Sequence, residues 1–253
     1  MRFFQFNLIC GLGLVGLLLG PAHAQPIHVA VAANFAVPMK RLAADFEKTG
    51  PYKVQLSAGS TGKLSAQIRS GAPFDVLVAA DAASVQRLLQ ERHAVSGSAF
   101  TYATGRLMLW SAQAGLVDAQ GEVLKRQNFR HLAVAAPQLA PYGAAAMQTL
   151  GRLGLSETLA PKLVQGESIA QTYSFVATGN AELGFVARSQ VWENGSLSKG
   201  SAWLVPATMH DPLHQQAALL TRAGANPGAT ALLQFLKTGQ AKAVIRSFGY
   251  ETD

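Results

Sequence analysis

The chain has 253 residues, of which 49% are hydrophobic, and its formal net charge is +7 at pH 7. No dense Lys/Arg run with interleaved aromatic residues occurs, so we expect no nucleic-acid partner. The only cysteine, Cys10, lies within the first 24 residues. After these residues the sequence therefore excludes disulfides and thiolate metal sites.

The first 24 residues have the pattern of a signal peptide. Arg2 gives a positive start, residues 8–19 are apolar, and 22–24 read Ala-His-Ala, a small-x-small cleavage pattern. The apolar part is short for a membrane span, and an uncleaved anchor is the alternative. We expect cleavage before Gln25, which lowers the net charge to +6, and export to a bacterial periplasm.

Strand and helix patterns alternate along the first block of the exported chain. Asn34 is predicted to be the N-cap of the first helix and Asp81 that of the third. Such alternation predicts mainly parallel sheets covered by helices. The predicted strands are 27–33, 53–57 and 75–79, and the predicted helices are 35–48, 61–70 and the segment after Asp81.

The same alternation continues after a long strand, 101–111, which is interrupted at Gly105. Strands are then predicted at 132–136, 183–187, 203–206 and 216–221, and helices at 142–153, 156–163, 169–178, 227–237 and 240–248. We therefore predict a two-lobed α/β fold whose lobes are joined by two crossover strands at a hinge. Its parts are a signal peptide (1–24), lobe I (25–105 and 216–253) and lobe II (106–215).

Four strand-to-helix loops consist largely of small or hydroxyl residues. They are 31–34, 58–62, 140–143 and 166–169. A helix start leaves backbone N–H groups free, and the helix dipole favours negative charge there. Ligands of open α/β sheets bind beyond the carboxyl ends of strands. The pattern predicts one interlobe site for a small oxyanion, without a cofactor or a bare metal cation.

The candidate binding residues lie in these loops. Ser60 and Thr61 offer hydroxyls, and plain helix capping is their alternative role. Tyr142 could donate from its backbone N–H or its hydroxyl, and Ile169 from its N–H with the side chain in the core. Asn34 could be an ordinary N-cap or a ligand contact. Ala33 and Ser168 are secondary candidates.

Catalytic sites fit the sequence poorly, so we predict a binding protein and no enzyme. No Gly-x-Ser-x-Gly nucleophile motif occurs, and Pro212 separates His210 from His214, which makes them a poor metal-ligand pair. Asp81 and Glu167 could form an acid/base pair, but capping and dipole stabilisation are their expected roles. An exported hydrolase of oxyanion esters is the alternative from another class.

Several segments resemble the periplasmic molybdate-binding proteins of ABC importers. They read VAVAANF at 29–35, GSTGKL at 59–64, QIRSGAPFDV at 67–76, PQLAPYG at 137–143 and LGFVA at 183–187. The resemblance implies a two-lobed periplasmic binding fold and a monomer that delivers molybdate or tungstate to a membrane permease. By position, it implies anion contacts from Asn34, Thr61 with Ser60 beside it, Tyr142 and Ile169.

Two positions depart from the family. Ala33 stands where relatives can carry a hydroxyl, and Ala187 where some members have tyrosine, so we expect Asn34 to supply the missing donor. A binding protein for sulfate or phosphate is the alternative. Donors spaced for the larger anion disfavour sulfate, and protonated phosphate needs an acceptor that these loops lack, provided that Asp81 and Glu167 point away.

Overall fold

The computed structural model describes residues 25–193 and 195–253. The predicted signal peptide lies outside these residues. Within the described ranges, no helix is both long enough and apolar enough to cross a membrane.

Twelve strands and ten α-helices, with short 3-10 turns between them, make up the described chain. The strands are β1 (Ile27–Ala32), β2 (Val54–Gly59), β3 (Val76–Val78), β4 (Phe100–Gly105), β5 (Leu107–Ser111), β6 (Leu132–Ala135), β7 (Leu163–Gly166), β8 (Leu183–Ala187), β9 (Trp192–Glu193), β10 (Ser196–Leu197), β11 (Ser201–Leu204) and β12 (Leu213–Leu219). The helices are α1 (Ala36–Phe46), α2 (Thr61–Arg69), α3 (Ala82–Gln90), α4 (Val123–Arg126), α5 (Pro141–Arg152), α6 (Ser156–Leu159), α7 (Ile169–Ala177), α8 (Arg188–Val191), α9 (Pro227–Leu236) and α10 (Gly239–Ser247).

Two five-stranded sheets form the two lobes. Lobe I contains the sheet β2-β1-β3-β12-β4, and lobe II contains the sheet β11-β5-β8-β6-β7. In lobe I, β1 pairs in parallel with β2 and β3, and β12 runs antiparallel to β3 and β4. In lobe II, β6 pairs in parallel with β7 and β8, and β5 runs antiparallel to β8 and β11. These sheets confirm the predicted two-lobed α/β fold.

Strand β1 lies between two layers of helices, which explains its continuous apolar sequence. Val29 and Val31 pack against Met39 of α1 on one face, and Ala30 packs with Leu77 on the other. In α1, Met39, Leu42 and Phe46 recur at helical spacing and are fully or almost fully buried. Each face of the first sheet thus has its own hydrophobic core.

The predicted helix at 156–163 was wrong in its second half. Helix α6 ends at Leu159, a 3-10 turn spans Ala160–Lys162, and Leu163 begins β7. Pro161 is the reason, because its ring and missing N–H prevent the helix from continuing. The strand that replaces this segment matters for the site, because its carboxyl end leads into α7.

The chain crosses between the lobes twice. It passes from β4 to β5 at Arg106, and it returns between β11 and β12, in residues 205–212. Strand β12 begins at Leu213, three residues before the predicted start. Its register with β4 shifts between Gln215 and Gln216. Such a bulge changes the direction of nearby side chains.

Candidate functional site

The four predicted loops meet at one cavity between the lobes. The cavity is small and lies at the carboxyl ends of β1, β2, β6 and β7. It contains six of the seven candidate residues, and Ser168 is the one that does not line it. The lining residues are Ala32, Ala33, Asn34, Gly59, Ser60, Thr61, Ala80, Ala140, Pro141, Tyr142 and Ile169.

The cavity is shielded from solvent. Ser60, Thr61, Tyr142 and Ile169 are each at most 4% exposed. The two lobes also touch beside it, where the Gly62 N–H donates to the Leu139 carbonyl oxygen at 2.9 Å. A charged ligand held here would therefore be removed from water, and its hydrogen bonds would have to come from the lining residues.

Ser60 contributes a hydroxyl that has no hydrogen-bond partner among the described residues. It is the N-cap of α2, yet its side chain makes no capping hydrogen bond. Its Oγ is fully buried and unpartnered. Because buried polar groups are nearly always paired, this hydroxyl fits a ligand that the cavity takes up.

Thr61 offers a second hydroxyl from the first residue of α2. Its Oγ1 accepts a hydrogen bond from the Ala80 N–H at 3.0 Å. A hydroxyl that accepts one bond still has its own proton to donate. The contact with Ala80 fixes the oxygen in place at the cavity wall.

Lobe II supplies backbone groups rather than hydroxyls. Tyr142 is the second residue of α5, and Ile169 is the first residue of α7. The first N–H groups of a helix have no partner within it, and the helix dipole makes this end favourable for an anion. Ser168 caps α7 by accepting from the Gln171 N–H at 3.3 Å, so its hydroxyl has a structural role.

The prediction that Asn34 is an N-cap was wrong. A 3-10 turn spans Ala33–Phe35, and α1 begins at Ala36. The Asn34 side-chain amide donates to Gln215 Oε1 and to the Tyr250 hydroxyl, both at 2.9 Å. We had expected Asn34 to supply the donor missing at Ala187. Both of its side-chain amide hydrogens are already used in these two bonds, so the side chain does not do so. A contact from Asn34 to a ligand would have to use its backbone N–H.

The Tyr142 hydroxyl belongs to a buried polar network next to the cavity. It accepts from Gln215 Nε2 at 2.9 Å, and Gln215 Oε1 accepts from the Tyr102 hydroxyl at 2.8 Å. Burial raises the pKa of the Tyr102, Tyr142 and Tyr250 hydroxyls, so all three are neutral at physiological pH. The hydroxyl accepts from Gln215 and keeps its own proton. The backbone N–H of Tyr142, which has no partner within α5, is the candidate donor that leaves this network untouched.

Sequence reasoning missed Gln215. It lies on β12 in the run Leu-His-Gln-Gln-Ala (213–217), where two adjacent glutamines hide which one is buried. In the structure Gln215 is 0% exposed, whereas Gln216 is only partly buried. The irregularity at Tyr102 of β4, which shifts the pairing register between these two glutamines, cannot be read from the sequence. The only available signal was a long polar side chain in a strand that crosses the protein interior.

Among the residues that the structure describes, none that lines the cavity has a charged side chain. Asp81 accepts from the Ser84 N–H at 2.5 Å, which confirms its predicted capping role. Glu167 pairs with Lys63 at 2.5 Å, and 70% of its side chain is exposed. Neither carboxylate lines the cavity. No cluster of three or more metal-ligating side chains occurs among the residues that the structure describes.

Two larger grooves flank the cavity. One of them contains Asp81 and Asp211, together with His214. Carboxylates in an open groove disfavour an anionic ligand. The small closed cavity, with uncharged donors from four helix starts, is the candidate binding site.

Comparisons with known proteins agree with this geometry. Residues 27–251 match the family described as bacterial extracellular solute-binding protein. The chain belongs to this family. It is 52% identical to the molybdate-binding protein ModA of Azotobacter vinelandii over 250 residues, which cover 99% of each chain. It is 46% identical to ModA of Rhodobacter capsulatus over 100% of both chains.

A solved structure resembles the whole fold. The periplasmic molybdate-binding protein of Azotobacter vinelandii superposes with a TM-score of 0.88 at 39% identity, covering 90% of this chain and 99% of that one. These relationships confirm the prediction that the chain is a binding protein and not an enzyme. They also confirm that it is a solute-binding protein of the periplasmic or extracellular class.

Proposed function

We propose that the protein captures molybdate or tungstate in the interlobe cavity and delivers it to the permease of an ABC importer. In this proposal residues 1–24 are a cleaved signal peptide, and the exported monomer works in the periplasm. The relatives named as molybdate-binding proteins support the ligand class. The uncharged, closed cavity supports an oxyanion held by hydrogen bonds alone.

The observation that carries the proposal is the unpartnered hydroxyl of Ser60. An N-cap serine ordinarily bonds a free N–H of its own helix. Here Ser60 is only 4% exposed, and its hydroxyl makes no such bond. Leaving a buried polar group unpaired costs about 1–3 kcal/mol, a cost that an anionic acceptor in the cavity would remove.

The proposed contacts are the hydroxyls of Ser60 and Thr61 and the N–H groups of Tyr142, Ile169 and the turn at Ala33–Phe35. Molybdate and tungstate are tetrahedral dianions that only accept hydrogen bonds at neutral pH. Hydrogen bonds to a charged acceptor are roughly twice as strong as neutral ones. Neutral donors from both lobes can therefore replace the water around the anion.

Selection against sulfate and phosphate follows from the same donors. Sulfate has the same charge and shape but shorter bonds, so donors spaced for the larger anion would stay too far from its oxygens. Phosphate carries a proton near neutral pH, and it would need an acceptor. Asp81 and Glu167, which could have accepted that proton, are engaged elsewhere. Unpaired groups then penalise both smaller ions.

Binding also favours closure, because the donors come from both lobes. An anion that touches all of them binds the closed state more tightly than the open one. The closed form would then be the form that the permease receives.

Calorimetric titration with molybdate, tungstate, sulfate and phosphate tests the proposal. We expect tight binding of the first two and weak binding of the others. Ser60→Ala should weaken molybdate binding by about 1.5–3 kcal/mol, roughly 10- to 150-fold. The same variant should not lower the unfolding temperature of the ligand-free protein, because it removes an unpaired buried group.

Ser70→Ala is the matched control. Ser70 is exposed and lies at the other end of the same helix, so this change should leave molybdate affinity unaltered. Equal affinity for sulfate and molybdate would contradict the proposed ligand. Wild-type affinity in Ser60→Ala would contradict the proposed site.

A further inference from the structure

Gln215 joins one cavity residue from each lobe through a single side-chain amide. Its Oε1 accepts from Asn34 Nδ2 of lobe I at 2.9 Å, and its Nε2 donates to the Tyr142 hydroxyl of lobe II at 2.9 Å. Tyr102 donates a third bond to Oε1 at 2.8 Å. The residue is fully buried, and its amide is held on both the oxygen and the nitrogen.

The backbone around Gln215 is arranged to make room for these bonds. The register shift between Gln215 and Gln216 leaves Tyr102 as an extra, unpaired residue on β4, directly beside Gln215. Bulges often change the direction of a side chain next to a functional site. On the neighbouring strand, a Cβ atom at Gly105 would overlap both the Tyr142 hydroxyl and Gln215 Nε2. Glycine at this position therefore permits the Gln215–Tyr142 contact.

The other bonds of the network hold the same two cavity walls. The Tyr250 hydroxyl lies 2.9 Å from the Asn34 carbonyl oxygen and 2.9 Å from Ser189 Oγ. Ser189 in turn donates to the Asn34 carbonyl oxygen at 3.0 Å. Asn34 is thus held at its side chain and at its backbone, and Tyr142 is held at its hydroxyl.

We propose that Gln215 is a positioning residue that sets the distance between the lobe I and lobe II donors, and thereby selects the larger oxyanion. The inference rests on the proposed function. Gln215 is not among the residues lining the cavity, so it acts through Asn34 and Tyr142. A rigid spacing matters for discrimination because sulfate and molybdate differ in size and not in charge.

Three variants, each compared with wild type, test this inference: Gln215→Leu, Tyr142→Phe and the double variant. Tyr142→Phe removes the hydroxyl that Gln215 holds but keeps the backbone N–H that we propose as a donor. Affinities for molybdate and sulfate are measured by calorimetry, with displacement titration for the weaker anion. Circular dichroism and thermal unfolding report on folding.

We expect Gln215→Leu to weaken molybdate binding by at least tenfold and sulfate binding by less than threefold, so the selectivity ratio falls. Tyr142→Phe should change the ratio in the same direction by a smaller factor. The double variant should resemble Gln215→Leu rather than the product of the two single effects, because both changes remove the same contact. Gln216→Leu is the control, because Gln216 is adjacent on β12 and only partly buried.

An equal loss of affinity for both anions would overturn the inference, because general destabilisation lowers both alike. Unchanged selectivity in Tyr142→Phe would also overturn it, even if Gln215→Leu fails to fold. Wild-type protein that does not prefer molybdate to sulfate would refute the proposed function itself. The wild-type preference is measured before any variant is made. Failure of the proposed function can therefore be distinguished from failure of the inference about Gln215.

Discussion

In the proposed site, the two lobes contribute different kinds of donor to one cavity. Besides the N–H groups of the turn at Ala33–Phe35, lobe I offers the side-chain hydroxyls of Ser60 and Thr61. In lobe II, the side chains of Tyr142 and Ile169 are packed in the hydrophobic core, which leaves their backbone N–H groups for the cavity. A side-chain substitution can delete a donor of lobe I, whereas in lobe II only proline removes the N–H itself. The difference determines which experiments can test each half of the site.

Ile169→Pro should have the largest effect, because it deletes a lobe II donor. Ile169 is the first residue of α7, where proline fits the helix. The preceding Ser168 is extended, with φ −145° and ψ 164°, which is compatible with a following proline. We expect molybdate affinity to fall by about 1.5–3 kcal/mol from the lost N–H, with a further loss from the reduced packing.

Ile169→Ala is the control for that packing. It removes more of the buried side chain than proline does, but it keeps the N–H. Calorimetry on both variants separates the two contributions, and circular dichroism verifies that α7 still forms. If Ile169→Pro bound molybdate as tightly as Ile169→Ala, the backbone of lobe II would not be a donor and the comparison between the lobes would fail.

Sequence could predict the parts of the fold and site that depend on local pattern. The buried runs at β1 and β3 and the cap at Asp81 follow from residue type alone, and all are present. The four loops that line the cavity were found because small and hydroxyl residues follow strands. Backbone N–H donors could be predicted only at helix starts. Every residue except proline has an N–H, so residue type does not show which of these groups lack a partner.

The remaining features depend on contacts between distant segments. Asn34 looked like a cap because it precedes a helical pattern, but Gln215 and Tyr250, each more than 180 residues away, engage its side chain. Strand β7 was not predicted, because Leu163 continues the helical spacing of apolar residues in the segment before Pro161. Residues nearby in the sequence determine neither the register shift beside Gln215 nor the lack of a hydrogen-bond partner for the Ser60 hydroxyl.

Gly62→Ala should test closure separately from donor chemistry. A Cβ atom at Gly62 would lie 3.0 Å from the Leu139 Cα and carbonyl oxygen of lobe II. Alanine is also a better helix former than glycine, by roughly 1 kcal/mol. We expect the ligand-free unfolding temperature to hold or rise, while molybdate affinity falls by about 1 kcal/mol because the closed state is crowded.

Gly151→Ala gives the matched control for this change. Gly151 lies in α5, and an added Cβ would meet only Ser156 Oγ, at 3.7 Å. It should raise the unfolding temperature and leave affinity unaltered. Were Gly62→Ala to behave in the same way, the contact between Gly62 and Leu139 would not contribute to the binding-competent form.

The smallest effect should come from Lys63 and Glu167, where each lobe contributes a charged side chain instead of a neutral donor. Their atoms lie 2.5 Å apart, but 49% and 70% of the two side chains are exposed. Exposed ion pairs contribute about 0–1 kcal/mol and weaken with salt. We expect Lys63→Met and Glu167→Gln each to change molybdate affinity by less than about fivefold.

A double-mutant cycle on this pair, measured by calorimetry at low and high salt, distinguishes two roles. If the pair holds the lobes together, both single variants weaken binding and the coupling decreases with salt. If Lys63 instead attracts the anion at a distance, Lys63→Met weakens binding and Glu167→Gln strengthens it. A loss above tenfold at high salt would mean that the rim, rather than the buried donors, determines affinity, and the contrast between hydroxyl and backbone donors would then matter little.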